Sequence, residues 1–183
     1  MSYTQAEKLQ ILLLCDIHEA LGIKHSYNPD FIKEAVETDN LWAIEWEYQS
    51  LSTEKDNPPS VRHVCDVLDM YDLLRFTYGH LSPGDQAKLA QEVPHFSVDY
   101  SLTFPGFDGN HEGELMSVAR MLSKMGRFSS QEILKNSHFP TFQTSERMLS
   151  VFLPARADFH HQRGLTYEAL RDTLIARTHP DNR

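Results

Sequence analysis

Three aspartates, Asp66, Asp69 and Asp72, recur at every third position within the run VRHVCDVLDMYDLLRFTYGHL from Val61 to Leu81. On a helix this spacing lines the carboxylates along one rim, suited to a divalent cation or to acid-base chemistry with His63, His80 or an arginine. A solvated helix face carries carboxylates at the same spacing, with Arg62 and Asp66 pairing across one turn, and this second reading is the one expected. The ten histidines raise the same question. Their densest group is Asp158, His160 and His161, but adjacent histidines on a helix diverge by about 100°, so chelation would need a loop or another chain. Exposed side chains are the expectation there. Trp42, Trp46, Tyr71 and Tyr78 would make a ligand cage if they converged; aromatic residues at helical spacing are expected in the core instead.

Known catalytic patterns fail at identifiable positions. His18 with Glu19 opens a zinc-protease pattern, but Gly22 stands where the second histidine must face the first, and His111 with Glu112 fails likewise at Leu115. Gly79 and Gly84 have phosphate-loop spacing, yet Asp85 and Gln86 replace the lysine and hydroxyl that hold phosphate and magnesium, and an aspartate there repels phosphate. No Gly-x-Ser-x-Gly elbow occurs. No catalytic, cofactor-binding or metal-binding residue is therefore assigned, and no cofactor is expected.

The elements that would position these residues are helical. Thr4 and Glu7 form a capping box ahead of Leu9, Leu12, Leu13, Ile17 and Leu21, and Gly22 stops the run. Asn28 and Pro29 read as N-cap and first helical residue of a second helix, and a short third one runs through Leu41 to Tyr48. The polar stretch from Ser52 to Asn57, then Pro58 and Pro59, launches a long central helix over about 61–80, apolar on nearly all sides in its second half. Ser82, Pro83 and Asp85 start another helix. Phe96, Val98, Tyr100, Leu102 and Phe104 then alternate with polar residues, which predicts one extended segment near 96–104, laid along the helices or paired with a second copy. Asp108 or Asn110 caps a helix with Leu115, Val118, Ala119, Leu122 and Met125 on one stripe. Ser129 and Glu132 make a second capping box, Pro154 should end or kink the helix through Met148 to Phe152, and Thr166 starts the last helix. Residues 178–183 read as a frayed tail.

A chain of 183 residues, 40% hydrophobic and 23% charged, suits one compact all-α domain over 1–183 built around that central helix. Cys15 and Cys65 lie far apart in apolar helical runs, the pattern of reduced core thiols, and the N-terminus lacks the order of a signal peptide. No apolar run approaches the ~20 residues of a membrane helix. A cytoplasmic protein, not membrane-bound, is expected. The net charge of −9 divides into −7 for residues 1–60, −5 for 61–120 and +3 for 121–183. Such asymmetry can guide head-to-tail self-association, although a solvated surface accounts for it more simply. Nucleic acid is not the expected partner: the three N-terminal helices hint at a helix-turn-helix, but its recognition helix, Asp39 to Tyr48, carries Glu45 and Glu47 and no Lys or Arg.

The central helix with Asp69, Met70 and Tyr71, followed by FPGFDGNHEGELMSVARMLSK, resembles the YfbU family of uncharacterised bacterial proteins. The TQAEKLQILL run and Pro154 fit the same pattern, and the similarity covers most of the chain. The resemblance implies an all-α bacterial protein that self-associates, and it supplies no catalytic residues. The expected function is a homo-oligomeric interaction or adaptor protein without catalytic activity, presenting helical surfaces to itself or to an unknown protein partner. A DNA-binding regulator and an enzyme with an unrecognised helical active site are the alternatives.

Overall fold

The computed structural model describes residues 3–52, 56–179 and 181. Part of the polar break at 52–57 and half of the tail at 178–183 lie outside the described residues. Within them the chain forms helices α1 (Gln5–Ala20), α2 (Pro29–Glu37), α3 (Leu41–Glu47), α4 (Pro59–Gly79), α5 (Pro83–Glu92), α6 (Val98–Ser101), α7 (Gly113–Lys124), α8 (Phe142–Arg156) and α9 (Tyr167–Ala176). Among the described residues there is no strand, only two isolated bridges.

Helix α4 is the axis. Its 21 residues rise roughly 32 Å at about 1.5 Å each, and Val61, Val64, Val67, Leu68, Met70, Tyr71, Leu74 and Thr77 are all buried. Helices α7, α8 and α9 pack on it, α8 against α9 most extensively, and α5 leans on α9. Helix α1 differs from the rest. It contributes no side chain to the core cluster and packs on α2, through a face where Cys15 alone is fully buried. Ion pairs reinforce that hairpin: Lys33 Nζ reaches Asp16 (2.7 Å) and Glu19 (2.8 Å), and Lys8 pairs with Asp39.

Local chemistry places most helix ends as the sequence predicts. Thr4 and Glu7 form the full capping box, while Asn28, Ser82 and Thr166 each cap with a side-chain oxygen. Four expectations change. Residues 96–104 are not extended throughout, because Ser97 caps a helical turn, Val98–Ser101, that carries Leu102 and Phe104 into the core and leaves Val98 and Tyr100 outside. The Ser129 and Glu132 capping box starts no helix. There Phe128 adopts φ 55°, the Ser130 hydroxyl bonds the Asp72 carboxylate (2.9 Å) and the Gln131 amide bonds the Leu68 carbonyl (2.9 Å), so the residues between Ser129 and Glu132 are tied to α4. Pro154 does not itself end α8, which runs on two residues to Arg156; in the last turn a missing N–H forfeits only one bond. Neither Asp108 nor Asn110 caps α7, whose N-cap residue is Glu112.

The buried carboxylate of Glu112 instead serves two neighbouring segments. Its Oε1 accepts from the backbone N–H groups of Thr141 (2.6 Å) and Phe142 (2.6 Å), the start of α8. Its Oε2 accepts from the Asp108 N–H (2.8 Å) and the Thr141 hydroxyl (2.9 Å). Thr141 makes no side-chain cap of its own, so Glu112 supplies the anion that a helix N-terminus favours. At the other end of α8, the loop into α9 docks on α4: Thr77 Oγ1 accepts from the Leu165 N–H (2.9 Å), and Gly164 at φ +83° would place a Cβ 2.9 Å from the Thr77 Cα.

Two substitutions test these anchors by thermal or denaturant melting. Glu112→Ala strands buried donors at the α8 terminus and is expected to cost about 3 kcal/mol or more. Gly164→Ala combines a backbone clash with a positive φ and should cost about 2 kcal/mol or more, whereas Gly84→Ala, whose Cβ would make only an ordinary contact with Ser82 Oγ (3.7 Å) within α5, should be neutral or mildly stabilising.

Candidate functional site

The aspartate rim of α4 is engaged by arginines rather than left open. Arg156, at the end of α8, places Nη1 2.8 Å from Asp66 and 3.6 Å from Asp69, so Asp66 pairs across to α8 instead of with Arg62. Asp72 pairs with Arg75 (2.7 Å) and accepts from Ser130. Neither histidine joins the rim. His80 turns its Nδ1 to the Phe76 carbonyl (2.8 Å), and His63 points to α8. Burial pushes the Asp69 carboxyl above its ordinary range; Arg156 opposes this, and Asp66 and Asp72 add to it. The same burial, with Asp69 and Asp66 nearby, raises the Cys65 thiol to about 11, which keeps it protonated and poorly nucleophilic.

The other candidates separate in space. Asp158, His160 and His161 lie on a turn closed by the His160 and Gly164 backbone bonds, with His161 edge-on to Phe159 (centroids 5.5 Å apart). Among the described residues no group of three His, Cys, Asp or Glu could hold a metal ion. Trp42 and Trp46 pack on each other (5.1 Å), Tyr71 packs on Phe104 (5.8 Å) and Tyr78 on Phe96 (5.7 Å), which makes core contacts rather than a cage. Of the two His-Glu pairs, Glu19 serves Lys33 and Glu112 serves the start of α8, while His111 bonds Asp108 and helps hold that carboxyl below its ordinary range. Helix α3 buries Leu41, Trp42 and Ala43, so its apolar side is committed to packing.

Two features went unread in the sequence. The first is the outer face of α1. Leu9, Leu13 and Ile17 fall within an arc of about 80°, roughly opposite the Ile11, Leu12 and Cys15 face that meets α2. They are 57%, 52% and 54% exposed, and Leu14 and Leu21 beside them 64% and 69%. The stripe itself was legible as a pattern; that a second apolar face packs on α2 is a tertiary fact. The second feature joins α4 to α8. His63 Nδ1 lies 2.9 Å from Glu146 Oε1 and its Nε2 lies 3.2 Å from Ser145 Oγ, with the Phe142 ring over the imidazole at 4.6 Å. His63 and Ser145 are 82 positions apart, beyond any local motif.

The rim yields a pH prediction. A carboxyl with a raised folded-state pKa binds its proton more tightly folded than unfolded, so its stabilising contribution is present at low pH and is lost as the pH rises through the folded value. Asp69→Asn is therefore expected to raise the melting temperature at neutral pH, with the gain vanishing below about pH 4. A lowered melting temperature at pH 7 would contradict it.

The YfbU domain matches residues 1–176 of the chain. No curated protein and no solved structure matches. Because that match runs from α1 to the last residue of α9, taking in the aspartate rim and the His63 cluster, the chain belongs to the YfbU family.

Proposed function

We propose that the protein is a homo-oligomeric interaction protein in which α1 is the assembly element. The observation that carries this reading is the exposed apolar face of α1. A helix apolar on opposite sides is normally buried on both. Here one side meets α2, and the other presents five large aliphatic side chains more than half exposed.

The stripe fits a second copy of itself. Centred on Leu13, an antiparallel twofold pairing sets Leu13 against Leu13, Leu9 against Ile17 and Ala6 against Ala20. Large residues meet at the middle and small ones at the ends. The same register brings Asp16 opposite Gln10 and keeps Glu7 and Glu19 away from the seam, so no like charges oppose there. Head-to-tail association through charge asymmetry needs no such symmetry, and the stripe favours the closed pair. Free Cys15 and Cys65 suit a reducing, cytoplasmic setting, and among the described residues no helix is long and apolar enough to cross a membrane.

Intact-assembly mass and sedimentation equilibrium test the proposal. The wild-type chain should be a dimer or a multiple of one at micromolar concentration. Leu13→Glu puts two carboxylates face to face at the twofold axis and should weaken association by about 100-fold or more, roughly 3 kcal/mol. Leu13 is half exposed within one chain, so the variant should remain helical. A wild-type monomer at 100-fold higher concentration, or a Leu13→Glu dimer of unchanged affinity, would sink the idea.

A further inference from the structure

We infer that Ser145, His63 and Glu146 form a nucleophile, base and orienting carboxylate for acyl transfer from small esters or thioesters, a chemistry independent of assembly through α1. Each link has the required reach. Glu146 Oε1 is 2.9 Å from His63 Nδ1, which makes Nδ1 the protonated nitrogen and leaves Nε2 as acceptor, 3.2 Å from the Ser145 hydroxyl. The base is sheltered: the His63 side chain is 9% exposed and its ring is held against Phe142. Ser145 Oγ also lies 2.8 Å from the Phe142 carbonyl, so its proton has a resting acceptor within the helix and a reactive one at Nε2.

Ser145 borders one empty space, and His63 and Glu146 border a neighbouring cleft. A cavity of about 110 Å³ is lined by Ser145 together with Val67, Tyr71, Phe104, Phe139 and Arg177. A cavity of about 150 Å³ accepts benzene, so this one, part of whose wall is the polar Thr141, Thr144 and Arg177, has room for an acyl group of roughly two to four carbons. Tyr71 is suited to meet the charge that develops on the carbonyl oxygen. Burial pushes its phenol up to about 12, which keeps the proton in place, and its bond is to the Met148 sulfur at 3.9 Å, a weak acceptor that gives way to an oxyanion. Arg177, stacked on Tyr100 at 3.7 Å, adds positive field at the same cavity.

The reaction balances with water as its one co-reactant. Ser145 Oγ bonds to the carbonyl carbon as the bond to the leaving alkoxide or thiolate breaks; the hydroxyl proton passes to His63 Nε2 and from there to the leaving group. Water then attacks the acyl-serine with His63 again as base, releasing the carboxylic acid and restoring the hydroxyl. Glu146 touches no reacting atom and is a positioning residue.

Two probes test this on the intact chain: diisopropyl fluorophosphate, read by intact mass and peptide mapping, and p-nitrophenyl acetate, read by release of nitrophenolate. The expected result is one phosphoryl adduct per chain, mapped to Ser145, and acetate turnover above buffer. Ser145→Ala should abolish both, and His63→Gln should slow labelling about 10²- to 10⁴-fold. Glu146→Gln should lower kcat at least ~10-fold with KM unchanged, a split that a purely structural contact would not produce. The wild-type adduct map requires no variant to fold. An unlabelled wild-type chain, an adduct that persists in Ser145→Ala, or an unchanged labelling rate in His63→Gln would each overturn the assignment. Leu13→Glu should label at the wild-type rate, which separates this chemistry from assembly.

Discussion

Glu112 holds the architecture at the point where helical regularity gives out. Between α7 and α8 the chain runs through turns and one isolated bridge, and a single buried carboxylate accepts hydrogen bonds from the 106–112 loop and from the first residues of α8. The position of α8 follows from that. Ser145 and Glu146 sit in the first turns of this helix, so the geometry that brings them to His63 depends on where Glu112 sets its start. At the far end the close approach of Gly164 to Thr77 closes the loop into α9, and α8 is thus pinned to its neighbours at both ends.

The two faces of the molecule divide along α4 and α1. Helix α4 is surrounded, and its buried residues carry the hydrophobic stabilisation of the core, each worth roughly 1.5–3 kcal/mol. Its aspartates survive where the helix leaves the core because arginines and a serine meet them; Arg156 and Ser130 come from segments distant in sequence. Helix α1 is held to α2 by one narrow seam and by ion pairs of the kind that contribute little individually. Its outer side is as apolar as its inner one, and that imbalance supports the proposed assembly role.

Helix positions were largely legible, because periodic apolar residues and caps act within a few residues of one another. Thr4, Asn28, Ser82 and Thr166 cap as their types predict. The misreadings share a cause. At Ser129 and Glu132 the local signal was a good capping box, but the residues between them, Ser130 and Gln131, bond to α4 and hold the segment in turns. At 96–104 the alternation of apolar and polar residues matched a strand, yet one serine cap and two buried anchors, Leu102 and Phe104, suited a helical turn equally well. Short signals lose to tertiary partners, since a single turn of helix gains only one or two hydrogen bonds.

From sequence alone came the all-α class, the central helix, the capped boundaries, the family resemblance and the failure of each known catalytic motif, all properties of residues close together in the chain or of overall composition. Which apolar stripes are covered, which carboxylates find arginines, and that Ser145 stands beside His63 were decided only by the packing of α8 on α4 and of α2 on α1. The reason is distance. A helix dictates what lies within one or two turns, whereas neighbours separated by some 80 residues are chosen by how helices fill a shared core.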